Sequence, residues 1–259
     1  MHPLLIELGP LQLPTYGVLL LIGIGLGLFT AHRRAARVGL DGDRVVDLGL
    51  WIVLGGLAGA KLLLVITDPS YLASLRGVWA LARAGGVFYG GLLGAVAAAV
   101  ILLRRFRLPF FGVADVLAPS IALGHFFGRL GCFSAGCCYG QSCEKPWAVV
   151  FSDPHATEIS GTPLGVPLHP VQLYEAAFNL ANYALLAWLF RRRPRGAEGM
   201  VLGAYLLAYG AARFGLEFFR GDADRGFLFG GALSTSQAIA ALAVPAGLAL
   251  AIWAWRRRA

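Results

Sequence analysis

The sequence predicts an all-α integral membrane protein with seven transmembrane helices, N-terminus outside and C-terminus cytoplasmic. Three observations carry that prediction. The chain is 58% hydrophobic and only 14% charged over its 259 residues, where soluble domains are about 25% charged, and its mean hydropathy is +0.68. Apolar stretches long enough to cross about 30 Å of hydrocarbon recur along it. Of its 22 Lys and Arg residues, fourteen stand in four runs set two apolar stretches apart: Arg33/Arg34/Arg37/Arg44, Arg104/Arg105/Arg107, Arg191/Arg192/Arg193/Arg195 and Arg256/Arg257/Arg258. Cytoplasmic loops gather Lys and Arg, so the runs mark every second loop.

Residues 1–15 hold three prolines and no Lys or Arg. That is unlike a cleaved signal peptide, so the first span, 15–32, is expected to be retained and to start outside. The second, 45–67, runs outward and carries Lys61 in its outer half. The third, 86–103, opens beside the glycine-rich segment from Gly85 to Gly94 and returns to Arg104. The fourth, 110–131, runs outward with His125 and Arg129 toward its outer end. The stretch from about 140 to 170, rich in Pro, Gly, Ser and His, is expected to form an irregular outer lid or arm. The fifth span, 171–190, returns to the third Arg run. The sixth, 199–219, rises with Arg213 and Glu217, and the seventh, 232–255, ends inside at Arg256. The outer segments hold Arg76, Arg83, Lys145, Arg220 and Arg225.

No repeat, P-loop or dinucleotide fingerprint is found, and residues 1–259 read as a single membrane-embedded domain. A net charge of +8 would suit nucleic acid in a soluble protein. Here the cations flank apolar spans instead of forming one exposed stripe, so membrane lipids with anionic headgroups are the expected contact and nucleic acid is not.

Charge inside a span is costly and tends to face a polar interior. Lys61, Arg129, Arg213 and Glu217, with Tyr16 and Tyr89 near the outer starts of the first and third spans, are all expected near the outer leaflet. Plainer uses stand beside a functional one. Arg213 and Glu217, four residues apart, could be a structural ion pair; Lys61 could snorkel; Tyr16 and Tyr89 could be belt aromatics. Gly94 reads as close helix packing, whereas Gly90 and Gly91 beside Tyr89 could leave backbone N–H groups free for a phosphate.

Three stretches resemble one known family. Gly128-Arg129-Leu130-Gly131-Cys132-Phe133-Ser134-Ala135-Gly136-Cys137-Cys138-Tyr139-Gly140 is similar to the signature of the prolipoprotein diacylglyceryl transferases. His169-Pro170-Val171-Gln172-Leu173-Tyr174-Glu175 and Arg213-Phe214-Gly215-Leu216-Glu217-Phe218-Phe219-Arg220 resemble two further segments of that family. Weaker matches are Tyr16-Gly17, Gly59-Ala60-Lys61-Leu62 and Ser234-Thr235-Ser236-Gln237. Order and spacing hold along nearly the whole chain, and seven helices with an outside N-terminus is that family's topology.

The resemblance implies a bacterial cytoplasmic-membrane enzyme without a cofactor. It would transfer a diacylglyceryl group from phosphatidylglycerol to the lipobox cysteine of a prolipoprotein, in the first step of lipoprotein maturation, at a site near the outer leaflet. Arg129, Arg213, Glu217, Tyr89 and His125 would be catalytic. Tyr16, Lys61, Gly90, Gly91, His169, Gln172, Glu175 and Arg220 would bind substrate. Fixed guanidinium groups suit a departing phosphate, because they match its geometry bidentately and oppose charge that grows in a poorly hydrated site. The chain departs from the family pattern where it has Tyr89 for a histidine, and Cys132 and Cys137 for an asparagine and a glutamate. The lost histidine is the obvious base near neutral pH, and His125, one turn before Arg129, could replace it.

Cys132, Cys137, Cys138 and Cys143 are spaced C-x4-C-C-x4-C. On the oxidising side of a bacterial membrane they could form two disulfides; Cys132 and Cys137, at active-site positions, could instead be working thiols. The spacing is not read as a standard zinc pair, and no metal is expected. Two other functions stay open: a paralogue on the same scaffold that moves a phospholipid-derived group to another acceptor, with its own cysteines taking part, and a lipid carrier.

Overall fold

Short polar side chains, Asp41, Ser74, Asp153 and Ser234, cap the starts of four of the helices. A computed structural model describes residues 3–8, 11–84, 86–222 and 226–257; Gly85, Arg225 and Arg258, used in the sequence reading, lie outside the described residues. Helix α1 is Thr15–Arg37 and α2 Gly42–Thr67, the latter capped by the Asp41 carboxylate, which accepts from the backbone N–H groups of Asp43 and Arg44. A short α3, Leu75–Arg83, is capped by Ser74. Then come α4, Phe88–Arg105, and α5, Phe110–Ala135. A second short helix, α6, covers Pro154–Ser160. Helices α7, Val171–Arg192, α8, Met200–Leu216, and α9, Thr235–Arg256, complete the set. Ser234 and Gln237 form a reciprocal capping box at the start of α9, which satisfies two otherwise orphaned donors.

Four of these helices, α1, α2, α5 and α9, are long and apolar enough to cross a membrane. Their outward faces suit lipid: Leu21, Leu62, Ile66 and Leu242 are each more than 60% exposed. The protein is an α-helical membrane protein. It also has elements that the all-α expectation did not contain. Strands β1, Leu4–Leu8, and β2, Leu11–Pro14, pair antiparallel. Two-residue pairings join β3, Val149–Val150, to β4, Pro167–Leu168, and β5, Phe227–Leu228, to β6, Leu233–Ser234. Periodicity over two residues carries no signal, and the prolines at 14 and 167 read as loop.

The chain forms two compact units. In the unit Ala31–Val113, α2 and α4 meet through glycines. A Cβ on Gly55 would lie 2.8 Å from Ala98 Cβ and 2.9 Å from the Gly94 carbonyl, and Gly59 faces Gly90 and Gly94 with no room for a methyl. Gly90 and Gly91, read as a possible phosphate cradle, therefore lie in a helix crossing, and the Gly91 N–H is already bonded to the Val87 carbonyl at 3.1 Å. Close approach through small residues is how helices associate where lipid removes the hydrophobic drive. Lys61 is likewise engaged. Its ammonium donates to the carbonyls of Leu81 at 2.6 Å and of Ala84, at the C-terminal end of α3, where a cation complements the helix dipole. Its expected substrate contact is replaced by this capping role. Tyr89 stands in the same unit, half-exposed.

The other unit comprises Met1–Thr30 and Ala114–Ala259. Here the first part of α1 packs on α5, and the Ser120 hydroxyl donates to the Gly27 carbonyl at 2.6 Å. Helices α8 and α9 approach through Gly203 and Gly247. Fully buried Asp115 on α5 fastens the start of α8. It accepts from the Gly199 and Leu202 N–H groups at 3.0 and 2.9 Å and from Arg193 at 2.5 Å.

Candidate active site

The unit that holds Arg129 also gathers most of the sequence-flagged polar residues, and α7 shows why. Gln172, Glu175, Asn179 and Asn182 follow one another at intervals of three, four and three residues, so they share one helix face. All four are buried, while Leu180, Leu185 and Trp188 of the same helix are exposed. An apolar-looking span thus turns a polar stripe inward.

Glu175 is the hub of that stripe. Its Oε2 lies 3.1 Å from Arg129 Nε, and its Oε1 accepts from the Tyr209 hydroxyl at 3.1 Å. The Tyr209 ring stacks on Tyr205, with centroids 5.7 Å apart and 6° between the planes. Its other neighbour is the half-buried His125, whose ring centroid is 5.1 Å away and whose inaccessible Nδ1 has no hydrogen-bond partner among the described residues. Arg213 pairs with Glu217 at 2.6 Å and donates to the Ser236 hydroxyl at 2.9 Å, so the capped first turn of α9 aims it. Arg129 and Arg213 both lie within electrostatic range of the Tyr209 hydroxyl. Two guanidinium groups, each steadied by a buried carboxylate, thus occupy one neighbourhood.

The thiols lie beside Arg129. Cys132, in the last turn of α5, and Cys137 and Cys138, just beyond it, place their sulfurs within 4.8 Å of one another. Two left-handed residues fold this segment back, Gly136 at φ 80° and Cys138 at φ 61°. The second is costly for a side chain with a Cβ, by about 1–2 kcal/mol. Gln172 Nε2 donates to the Cys137 carbonyl at 2.8 Å, and the Thr162 hydroxyl to the Gly136 carbonyl at 2.8 Å, which pins the turn from two sides. Hydrogen bonds from the Cys132 and Cys137 thiols, with the nearby Arg129 and Arg220 charges, hold the Cys138 thiol well below the ordinary range. Hydrogen bonding to Cys132 and Cys138, with burial, pushes Cys137 up.

All four cysteines are free thiols, and Cys143 is buried apart from the other three. The clustering of three of them corrects the reading of the spacing. Cys132 and Cys137 are separated by four residues, within the range of zinc pairs, and the left-handed turn brings Cys138 alongside.

Tyr16 stands at the same place. A Cβ on Gly131 would lie 2.8 Å from its ring, and its hydroxyl is within electrostatic range of the three thiols and of Arg129. Arg220, expected to bind substrate, is buried and forked onto Asp222, with Nε to Oδ1 at 2.6 Å and a second bond beside it. Burial works against its charge, but the Asp222 hydrogen bond and the Cys138 and Asp222 charges outweigh that and raise its pKa. His169 is part of an aromatic group: its Nδ1 is 3.1 Å from the Tyr174 hydroxyl, which accepts from Trp147 Nε1 at 2.7 Å, and its ring lies 5.3 Å from that of Phe219.

A model of the prolipoprotein diacylglyceryl transferases matches residues 3–253. The chain belongs to that family. It is 36% identical over 262 aligned residues to the phosphatidylglycerol–prolipoprotein diacylglyceryl transferase of Pseudomonas paraeruginosa, covering 99% of this chain and 95% of that one. Against the enzyme of the same name from Azotobacter vinelandii it is 37% identical over 264, covering 99% and 96%. Against that of Vibrio atlanticus it is 38% identical over 267, covering 98% and 91%. Within this transferase family, the structure adds residues that sequence reasoning passed over, Tyr209, Asn179 and Asn182, and gives Ser236 of the weaker match a partner in Arg213. The two asparagines had a legible signal, being polar residues inside a span at helical spacing from Gln172 and Glu175. Tyr209 had none, since only tertiary packing brings it to Glu175.

Proposed function

We propose that this protein transfers the diacylglyceryl group of phosphatidylglycerol to the lipobox cysteine of prolipoproteins, as its relatives' names state for them. The observation that carries the reading is the pair of arginines, Arg129 and Arg213, each held by a buried carboxylate in one neighbourhood. The acceptor thiolate attacks the glyceryl carbon next to the phosphate oxygen. A carbon–sulfur bond forms as the carbon–oxygen bond breaks, and glycerol phosphate leaves with the electron pair. Charge on the departing phosphate grows from one to two, which is the change that preorganised cations favour. Glu175 and Glu217 keep the guanidinium groups from collapsing elsewhere, and Gln172 and His169 shape the wall. The acceptor's proton goes to the bare Nδ1 of His125.

In this reading the protein crosses the bacterial inner membrane seven times, with the N-terminus outside and the site near the outer leaflet. The four Arg runs support that topology. The thiol cluster at Cys132, Cys137 and Cys138 favours a second reading, in which a phospholipid-derived group passes to another acceptor by way of the protein's own sulfur. Reconstitution with labelled phosphatidylglycerol and a lipobox peptide tests both. A labelled thioether on the peptide supports the first; label on the protein with none on the peptide overturns it in favour of the second.

A further inference from the structure

Resting on that transfer reaction, we infer that Cys132, Cys137 and Cys138 bind a thiophilic divalent cation of the zinc class, whose fourth position takes the acceptor's thiol. Their sulfurs lie within 4.8 Å of one another. A tetrahedral ion with metal–sulfur bonds of about 2.3 Å sets its sulfurs roughly 3.8 Å apart, so small side-chain rotations close the set. Thiolates are the soft ligands that select such ions over magnesium or calcium. The fourth cysteine, Cys143, stays outside the group. Three protein ligands and one open position is the pattern of catalytic zinc, whereas structural zinc is closed by four.

The surroundings fit a thiolate-rich centre. Three thiolates around a dication leave one net negative charge, and Arg129 and Arg220 lie within electrostatic range of Cys138 to offset it. Gln172 and Thr162 hold the backbone of the turn that carries the ligands, as outer-shell hydrogen bonds do in metal sites. The left-handed Cys138, an uncommon conformation for a side chain with a Cβ, is what turns the third sulfur toward the other two.

The site explains how transfer proceeds with Tyr89 where the family has histidine. A thiol that coordinates such an ion is deprotonated outright, and the thiolate is the nucleophile. The proton it gives up is the one that His125 receives. The acceptor sulfur then forms its bond to the glyceryl carbon, the carbon–oxygen bond to phosphate breaks, and glycerol phosphate departs with the pair. The ion keeps its oxidation state throughout. The thioether product is a poorer ligand than a thiolate and leaves the fourth position.

The test uses the purified full-length protein in detergent, loaded with Co2+ and separately with Cd2+. Expected are one ion per chain, the visible bands of tetrahedral sulfur-bound cobalt and an ultraviolet cadmium–thiolate band. All should be lost in Cys138→Ser and kept in Cys143→Ser. A lipobox peptide should shift the cobalt bands, and the same peptide with serine for cysteine should not. Chelation should abolish thioether formation and Zn2+ should restore it. Binding that persists in Cys138→Ser, or a disulfide among the three sulfurs in freshly isolated protein, would overturn the site. Thioether formation by metal-free protein would overturn the ion's role while leaving the transfer reaction standing. A bound ion in a protein that makes no thioether from phosphatidylglycerol would overturn the transfer reading, and with it the role given to the ion.

Discussion

Arg129 must stay charged in a poorly hydrated place and still have a face to offer a phosphate. Glu175, only 1% exposed against 21% for the arginine side chain, meets the first need. The ion pair uses Nε, which leaves the outer edge of the guanidinium for a ligand. Replacement of Arg129 by alanine should therefore slow thioether formation by roughly 100- to 1,000-fold, the usual loss when one preorganised donor is removed. Lysine should rescue little, since a point charge cannot form the forked contact; turnover in vesicles measures both. Glu175→Gln acts differently. It retains an acceptor for Tyr209 but strands the Arg129 charge, and breaking a buried pair in this way costs about 3–5 kcal/mol. The value should fall toward the low end because Arg129 reaches solvent. A drop in thermal midpoint in detergent, partly reversed by Arg129→Met in the same background, is the expected outcome.

Among the elements, the long helices were legible, because apolar runs of span length bounded by arginine clusters are set by local composition alone. Helix α5, expected over 110–131 and found over Phe110–Ala135, gains its last turn from the Cys132 segment. The short strands and helices α3 and α6 were not legible, since elements this short carry too little periodicity to be told from loop. The candidate site divides along the same line. Arg129, Glu175 and Arg213 could be named from their motifs, but Lys61 could not be told from a ligand-binding cation until the end of α3 was placed against it. Asp115 escaped notice for a related reason: a lone carboxylate near a span's start gives no hint that it caps α8 across 84 residues of sequence. Its replacement by alanine removes three bonds and leaves Arg193 buried without its partner. A loss of about 3–5 kcal/mol should follow, read as a lowered unfolding midpoint, while the shape of the cobalt spectrum of surviving protein stays unchanged.

At the scale of the molecule, the distribution of arginines is the argument for the proposed orientation, and the seven-span proposal makes it testable. Reporter fusions at Ala36 and Pro194 should be active only as cytoplasmic markers, and one after Trp147 only as an external marker. A fusion at 194 that reports from outside would end the topology.

The turn that follows α5 also limits which sequences this protein can pass through. Gly136 packs so closely on α6 that a Cβ there would sit 2.5 Å from the Ala156 methyl, and its left-handed backbone excludes most other residues. Ala156 has one methyl to surrender and nothing more. Any lineage that enlarged position 136 would have to pass through glycine at 156 and still meet the backbone penalty, so two successive losses precede any gain. The turn that carries the thiols is therefore trapped in sequence space by a neighbour some twenty residues away that touches neither substrate nor sulfur. Change in this part of the protein is expected to accumulate around the pair Gly136 and Ala156, not at it.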